Sequence, residues 1–256
     1  MPSNDLYFAN SIFGENNPLL YKGKGGQFTF SPNGNYLAIS SLSEIKVLQK
    51  DGSNRITGLH YPTISIDTGY IPPIVWMENE TGFYTVVPDN LGINSKYFFV
   101  SADGSISAQL AVFESDLSVP VISPDGLKVA YVKRTANTDE LHVIEASTAD
   151  TIIASYKGAP FFHVWGWSPD SKRVVFSNAH PMLLLTAGIG IPPSPSTEAI
   201  SPYSLRWIDA EHLIFFREGN LLIGVINSPE TISIASGFSN QVDTQDYDFT
   251  IDSSPE

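Results

Sequence analysis

VPVISPDGLKVAYV, residues 119–132, holds an apolar strand, a tight turn and a second apolar strand. Pro124 presets φ at the first central position of the turn, and Gly126 supplies the left-handed backbone that follows Asp125. The second strand, LKVAYV, is nearly continuous in apolar residues instead of alternating, which is the pattern of a strand buried on both faces. Such a hairpin needs a neighbouring sheet on each side.

The chain supplies those neighbours by repeating the unit. QFTFSPNGNYLAIS (27–40) and HVWGWSPDSKRVVFS (163–177) carry the same strand, turn and strand, and PIVWMENETGFYTVV (73–87) and YSLRWIDAEHLIFF (203–216) carry it without the Ser-Pro pair. A sixth copy begins at DFTIDSSPE (248–256). Anchoring each copy at Ser31, Met77, Ser123, Ser168, Ile208 and Asp252 gives spacings of 46, 46, 45, 40 and 44 residues, the period of a four-stranded blade. The positions one and three before the anchors are large and apolar, as in Phe30/Phe28, Trp76/Ile74, Trp167/Trp165 and Trp207/Leu205.

Third and fourth strands follow in most copies: EIKVLQ with RITGL, KYFFVSADG with SISAQLAV, ELHVIEAST with TIIASY, and NLLIGVIN with TISIAS. After MLLLTAG comes IGIPPSPSTEAISP, where Pro192, Pro193 and Pro195 cannot donate to a ladder, so that stretch is a loop or a frayed edge strand. DLYFAN and PLLYKG near the start match third and fourth strands, and DYDFTID near the end matches a first strand. The expected fold is therefore an all-β propeller of six blades with up to four antiparallel strands each, forming a single domain over 1–256. The closing blade is assembled from 244–256 together with 5–22.

With these motifs in hand a resemblance becomes specific. The SPNG and SPDG turns with their flanking strands, and KYFFVSADGS with its Ala-Asp-Gly turn, resemble the repeats of TolB-like, WD-like β-propellers. Similar repeats occur in the propeller domains of prolyl oligopeptidase and dipeptidyl peptidase relatives. The resemblance covers nearly the whole chain and departs from the pattern at Met77-Glu78-Asn79-Glu80 and Ile208-Asp209-Ala210-Glu211. It implies a fold, and by analogy a scaffolding place in the cell envelope.

Composition narrows the function classes. A net charge of -13 and a pI of about 4.6 repel phosphate backbones and anionic membranes, so nucleic acid is not an expected partner and a basic or neutral protein or peptide is. Cysteine is absent, which removes disulfides and thiol chemistry. The run Met182–Ile191 is too short to span a bilayer, and MPSNDLYFAN lacks the profile of a secretory signal. A periplasmic or extracellular monomer is the expectation.

No serine has glycine two positions away on both sides, so the nucleophile elbow of a hydrolase is missing; Gly166-Trp167-Ser168-Pro169-Asp170 reads as a blade turn. The five histidines show no zinc spacing, so neither a metal nor another cofactor is implied. Asn33, Asp103, Asp125 and Asp170 occupy turn positions that explain them without catalysis. Asp89, Asp139, Glu140 and Asp246 are expected in loops that make one face acidic.

The candidate partner-binding residues are His60, Tyr61, Tyr70, His163, Trp165, His180, Tyr203 and Tyr247. They fall in or near connections between strands at one end of the blades, where aromatic side chains offer contact area at low entropic cost. The plainer reading makes the histidines separate rim residues and Trp165 a first-strand packing residue. The expected function is protein or peptide recognition without catalysis. The alternatives are a hydrolase or lyase acting on a glycan or lactone in a central channel, and a propeller domain of a longer sensor or peptidase.

Overall fold

The computed structural model describes residues 6–7, 19–21, 26–50, 56–64, 70–89, 93–115, 119–146, 150–158, 163–179, 182–197, 205–226, 228 and 230–237. The chain divides into two compact units, Met1–Leu117 and Ser118–Glu256. All regular elements among the described residues are strands.

The first unit opens with a two-stranded antiparallel sheet of β1 (Leu6–Tyr7) and β2 (Leu19–Tyr21). Two four-stranded antiparallel sheets follow: β3 (Gln27–Phe30), β4 (Tyr36–Ser40), β5 (Glu44–Gln49) and β6 (Ile56–His60), then β7 (Val75–Trp76), β8 (Gly82–Pro88), β9 (Asn94–Ser101) and β10 (Ser107–Glu114). In the second unit there are three more: β11 (Val121–Ile122), β12 (Lys128–Arg134), β13 (Thr138–Glu145) and β14 (Thr151–Lys157); β15 (His163–Trp167), β16 (Val174–Ala179), β17 (Met182–Gly188) and β18 (Ile191–Thr197); and β19 (Arg206–Trp207), β20 (His212–Arg217), β21 (Asn220–Val225) and β22 (Thr231–Ser236). In every four-stranded sheet the strands lie side by side in chain order, as expected of the repeat. The closing copy beyond Ile208 has its anchor, Asp252, outside the described residues.

Two-sided burial of the second strand holds in both units. Phe83, Val86, Val129, Ala130, Val132, Val174, Val175, Phe176, Leu213 and Phe215 are all fully buried. β16 shows why: Val174 and Phe176 join a cluster with Ala130, Val132, Leu141 and Val143 of the preceding sheet, while Val175 packs with Leu213, Phe215 and Leu222 of the following one. Successive side chains of a strand point to opposite faces, so continuous apolar sequence here feeds two interfaces at once. A β-bulge between Val164 and Gly166 shifts the parity of β15. Val164 and Trp167 therefore share one face, and Trp165 packs on the other against the cluster of Val175, Leu213 and Phe215.

Adjacent sheets are also joined by a repeated hydrogen bond. Trp167 Nε1 donates to the Val121 carbonyl at 2.8 Å, and Trp76 Nε1 donates to the Thr29 carbonyl at 3.2 Å. Each indole sits one residue before its anchor and reaches the residue two before the preceding anchor. The equivalent positions of β3 differ: Phe28 and Phe30 are 54% and 50% exposed. The residues expected to form the closing blade, 244–256 with 5–22, lie mostly outside the described ones.

The proline-rich stretch after Gly190 is an edge strand. Among the described residues β18 pairs with β17 alone, through Leu184–Thr197, Leu185–Pro195, Thr186–Ser194 and Gly188–Ile191, with two register shifts. Prolines are tolerated at the outer position of a sheet because the missing N–H would face outward.

Candidate functional site

Within the first unit, the connection from β6 to β7 carries three of the sequence candidates. His60 ends β6 opposite Glu44, with its side chain 72% exposed and Nδ1 3.9 Å from Glu44 Oε2. Tyr61 turns inward: its hydroxyl donates to the Ser41 carbonyl at 2.6 Å and lies 3.2 Å from that of Glu44. Tyr70, at the other end of the connection, donates its hydroxyl to the Val86 carbonyl of β8 at 2.9 Å. One tyrosine thus straps the connection to the β3–β6 sheet and the other to the β7–β10 sheet. Backbone bonds from Tyr61 N to Ser43 O and from Ile64 N to Leu42 O, with Ile64 buried, complete the anchorage.

Burial pushes the Tyr61 phenol up to about 12, with the Glu44 charge adding to the effect. Burial, reinforced by the neighbouring Tyr61, also holds the Tyr70 phenol well above its ordinary value. Both hydroxyls stay protonated donors at physiological pH. Neither tyrosine is placed as an acid or base.

In the second unit, His163 opens β15 and is exposed, with its ring centroid 4.0 Å from that of Trp165. Partial burial lowers its pKa, so the neutral imidazole is favoured. Trp165 donates Nε1 to Ser177 Oγ at 3.0 Å and packs into the interface with the β19–β22 sheet. Its hydrogen bond and packing give it a structural task. His180, Tyr203 and Tyr247 lie outside the described residues, as does Asp246.

The turn acids are braces. Ser101, Ser123 and Ser168 donate their hydroxyls to Asp103, Asp125 and Asp170 at 2.6, 2.5 and 2.6 Å. The same carboxylates accept from the backbone N–H of Ser105, Leu127 and Lys172. Hydrogen bonds from Ser101 and Ser105 hold Asp103 at about 2. Although burial opposes it, the serine and backbone donors hold Asp125 and Asp170 below their usual range. Asp89 is likewise engaged locally, accepting from Ile93 N and Asn94 Nδ2.

Asp139 and Glu140 are not in a loop: both belong to β13. Asp139 is buried and paired with Arg134 at 3.0 Å. Glu140 belongs to a polar network unforeseen from sequence, in which buried His142 contacts Asp150 Oδ2 through Nδ1 at 2.8 Å and Glu140 Oε2 through Nε2 at 3.1 Å. Tyr131 stacks on the His142 ring and donates to Asp150 at 2.6 Å. The order Glu-x-His gives no signal, because the completing Asp150 lies eight residues beyond His142, past the end of β13. Among the described residues no group of three His, Asp or Glu is arranged to hold a metal ion.

Against known proteins, no family model and no curated protein matches the chain. Solved structures do. A candidate TolB from Agrobacterium tumefaciens aligns over 87% of this chain and 85% of its own with a TM-score of 0.50 at 12% identity. The fold is that of a TolB-like β-propeller. TolB from Acinetobacter baumannii aligns over 82% of this chain at 14% identity with a TM-score of 0.46, and this chain spans about half of its length, 52%. At such identities the likeness concerns the fold, and each four-stranded sheet described above is a blade of it. No helix among the described residues is long and apolar enough to cross a membrane.

Proposed function

We propose that this propeller is a non-enzymatic recognition module of the cell envelope, periplasmic or extracellular, that binds a protein or peptide through the connections between blades. One observation carries the reading: the 61–74 connection is strapped by tyrosine hydroxyls to two different sheets, which fixes both of its ends and leaves His60 and Glu44 beside it. A connection restrained before binding loses less entropy on binding, which is how rigid scaffolds present recognition loops. The net charge of -13 favours a basic partner. The turn acids support the same reading against a glycan-cleaving or lactone-cleaving enzyme, since their lone pairs already serve the turns. On this reading the chain acts as one monomeric domain, with a sixth blade closed by 244–256 and 5–22, in keeping with the repeat spacing.

The test is selection from a displayed peptide library on the full chain, with the selected peptides then measured against variants. Basic peptides are expected, with affinity falling as salt rises. Replacing 65–69 by a Gly-Ser segment of equal length, or His60→Ala, should weaken binding about tenfold while the circular dichroism spectrum is unchanged. Equal binding by all variants, or turnover of a glycan or lactone by the unmodified chain, would sink the proposal.

A further inference from the structure

The turn of the β3–β6 sheet departs from its relatives in one atom-level respect. At Ser101, Ser123 and Ser168 the serine hydroxyl donates to an aspartate two residues on in the same turn. Ser31 has Asn33 there, and its hydroxyl donates instead to Glu80 Oε1 of the next sheet, at 2.5 Å. Glu80 also accepts from Asn33 N at 2.7 Å and from Asn35 Nδ2 at 2.6 Å. It sits three residues after the anchor Met77 with a left-handed φ of 56°, and is only 8% exposed. In the second unit the matching place is taken by Ser171, also left-handed at 59°, whose neutral hydroxyl accepts from Asp125 N at 3.0 Å. The two interfaces are therefore complementary: an aspartate turn faces a serine, and the asparagine turn faces a glutamate.

Asn33 is followed by Gly34, whose surroundings are open: a Cβ placed on Gly34 would meet nothing within 4 Å among the described residues. Asn33 itself is exposed. Glycine offers the least steric resistance to attack by its own backbone nitrogen on the preceding side-chain amide.

We infer that Asn33 is a site of spontaneous deamidation, and that the new carboxylate releases the Glu80 clamp between the first two complete sheets. Gly34 N, freed from its 2.8 Å bond to the Ser31 carbonyl when the turn opens, loses its proton to solvent and attacks Asn33 Cγ. The C–N bond to the side-chain nitrogen breaks, ammonia leaves, and a cyclic imide forms. Water then adds at either imide carbonyl and opens the ring to aspartate or isoaspartate, so the net change is asparagine and water to acid and ammonia. The carboxylate formed at position 33 would compete with Glu80 for the Ser31 proton, as Asp125 holds that of Ser123, and would set two negative charges against each other across the interface.

The experiment has two arms. In the first, the full chain is aged at mildly alkaline pH and mapped by peptide mass spectrometry with isoaspartate labelling. Conversion of Asn33 well ahead of Asn35 is expected; retention of the Asn33 amide while a urea-unfolded control converts it would overturn the inference. In the second arm, Asn33→Asp should lower the thermal midpoint by roughly 3–6 °C. Adding Glu80→Ser, which copies the Asp125–Ser171 interface, should recover at least half of that loss. A midpoint for Asn33→Asp within about 1 °C of the parent, or losses that merely add in the double variant, would overturn it.

Discussion

Replacing Trp167 by phenylalanine tests the inter-sheet hydrogen bond directly. The indole is 6% exposed, packs among Ala130, Val132, Leu141, Val143 and Phe176, and donates to Val121 O across the interface. Phenylalanine keeps an aromatic ring but removes the donor, at about 1 kcal/mol for the lost bond. It also removes part of the ring, leaving a void on the order of 35 Å³ that costs about 1 kcal/mol more. The sum, about 2 kcal/mol, corresponds to a fall of roughly 4–8 °C in thermal midpoint for a unit of this size. Trp76→Phe should cost slightly less, because its bond is longer at 3.2 Å. Urea unfolding followed by far-ultraviolet circular dichroism gives the free energies, and coincidence with fluorescence checks that the transition is two-state. A loss for Trp167→Phe below about 0.5 kcal/mol would refute the view that the indole N–H helps to join the sheets.

Gly188→Ala should cost about 2–3 kcal/mol or prevent folding, since its Cβ would lie 2.1 Å from the Lys172 carbonyl; a variant with parental stability contradicts this packing. Thr85→Val should stabilise by about 1 kcal/mol, because Thr85 Oγ1 is buried without a hydrogen-bond partner among the described residues, and a destabilised variant would reveal a partner for it. Asp103, whose ordinary value of 3.8 is lowered to about 2 by Ser101 and Ser105, contributes stability present above 3.8 and lost as pH falls through about 2. Asp103→Asn should therefore flatten the acid limb of stability against pH over that window, and an unchanged slope in acid titrations by circular dichroism counts against the brace. Tyr61→Phe and Tyr70→Phe should each lower hydrogen-exchange protection at Ile64 N while costing at most about 1.5 kcal/mol globally; unchanged protection would mean that the straps do not order the connection.

The repeat is legible because it is written twice, in turn chemistry and in apolar patterning. Ser-Pro-Asp-Gly specifies the hairpin at 123–126, and Gly126 does take the left-handed φ of 72° that the turn demands. Continuous apolar second strands such as 128–132 cannot be buried on one face only, so stacked sheets are readable from them. The absence of the Ser-Pro pair at Met77 reads as a weakened copy, yet that copy supplies Glu80, whose partners lie 45–49 residues away. Local sequence carries no sign of such a bond. The loop placement of Asp139 and Glu140 fails, although Glu140 already opens the ELHVIEAST strand of the repeat: charged residues are poor strand formers on propensity alone, and Arg134 and His142 accommodate the two acids in β13 through side-chain pairing that propensity does not encode.

The candidate residues divide by what their polar atoms already do. A hydroxyl or carboxylate bonded within its own turn, as at Asp103, Asp125 and Asp170, has little capacity left for a ligand, so residue type at an exposed turn is a poor guide to binding. Tyr61 and Tyr70 have the residue type of aromatic contact groups, but their hydroxyls point to backbone carbonyls. That lowers their value as direct hydrogen-bonding groups and raises their value as restraints, because a chain segment held at both ends has fewer conformations to lose on binding. On the proposed reading, recognition in the first unit falls to the exposed His60 and to the connection that the two tyrosines hold, with the tyrosines setting affinity through order, whereas Glu44 is already paired with Lys46 at 2.6 Å. Phenylalanine at 61 and 70 would weaken every selected peptide by a similar factor, whereas changes at 65–69 would change which peptides are selected.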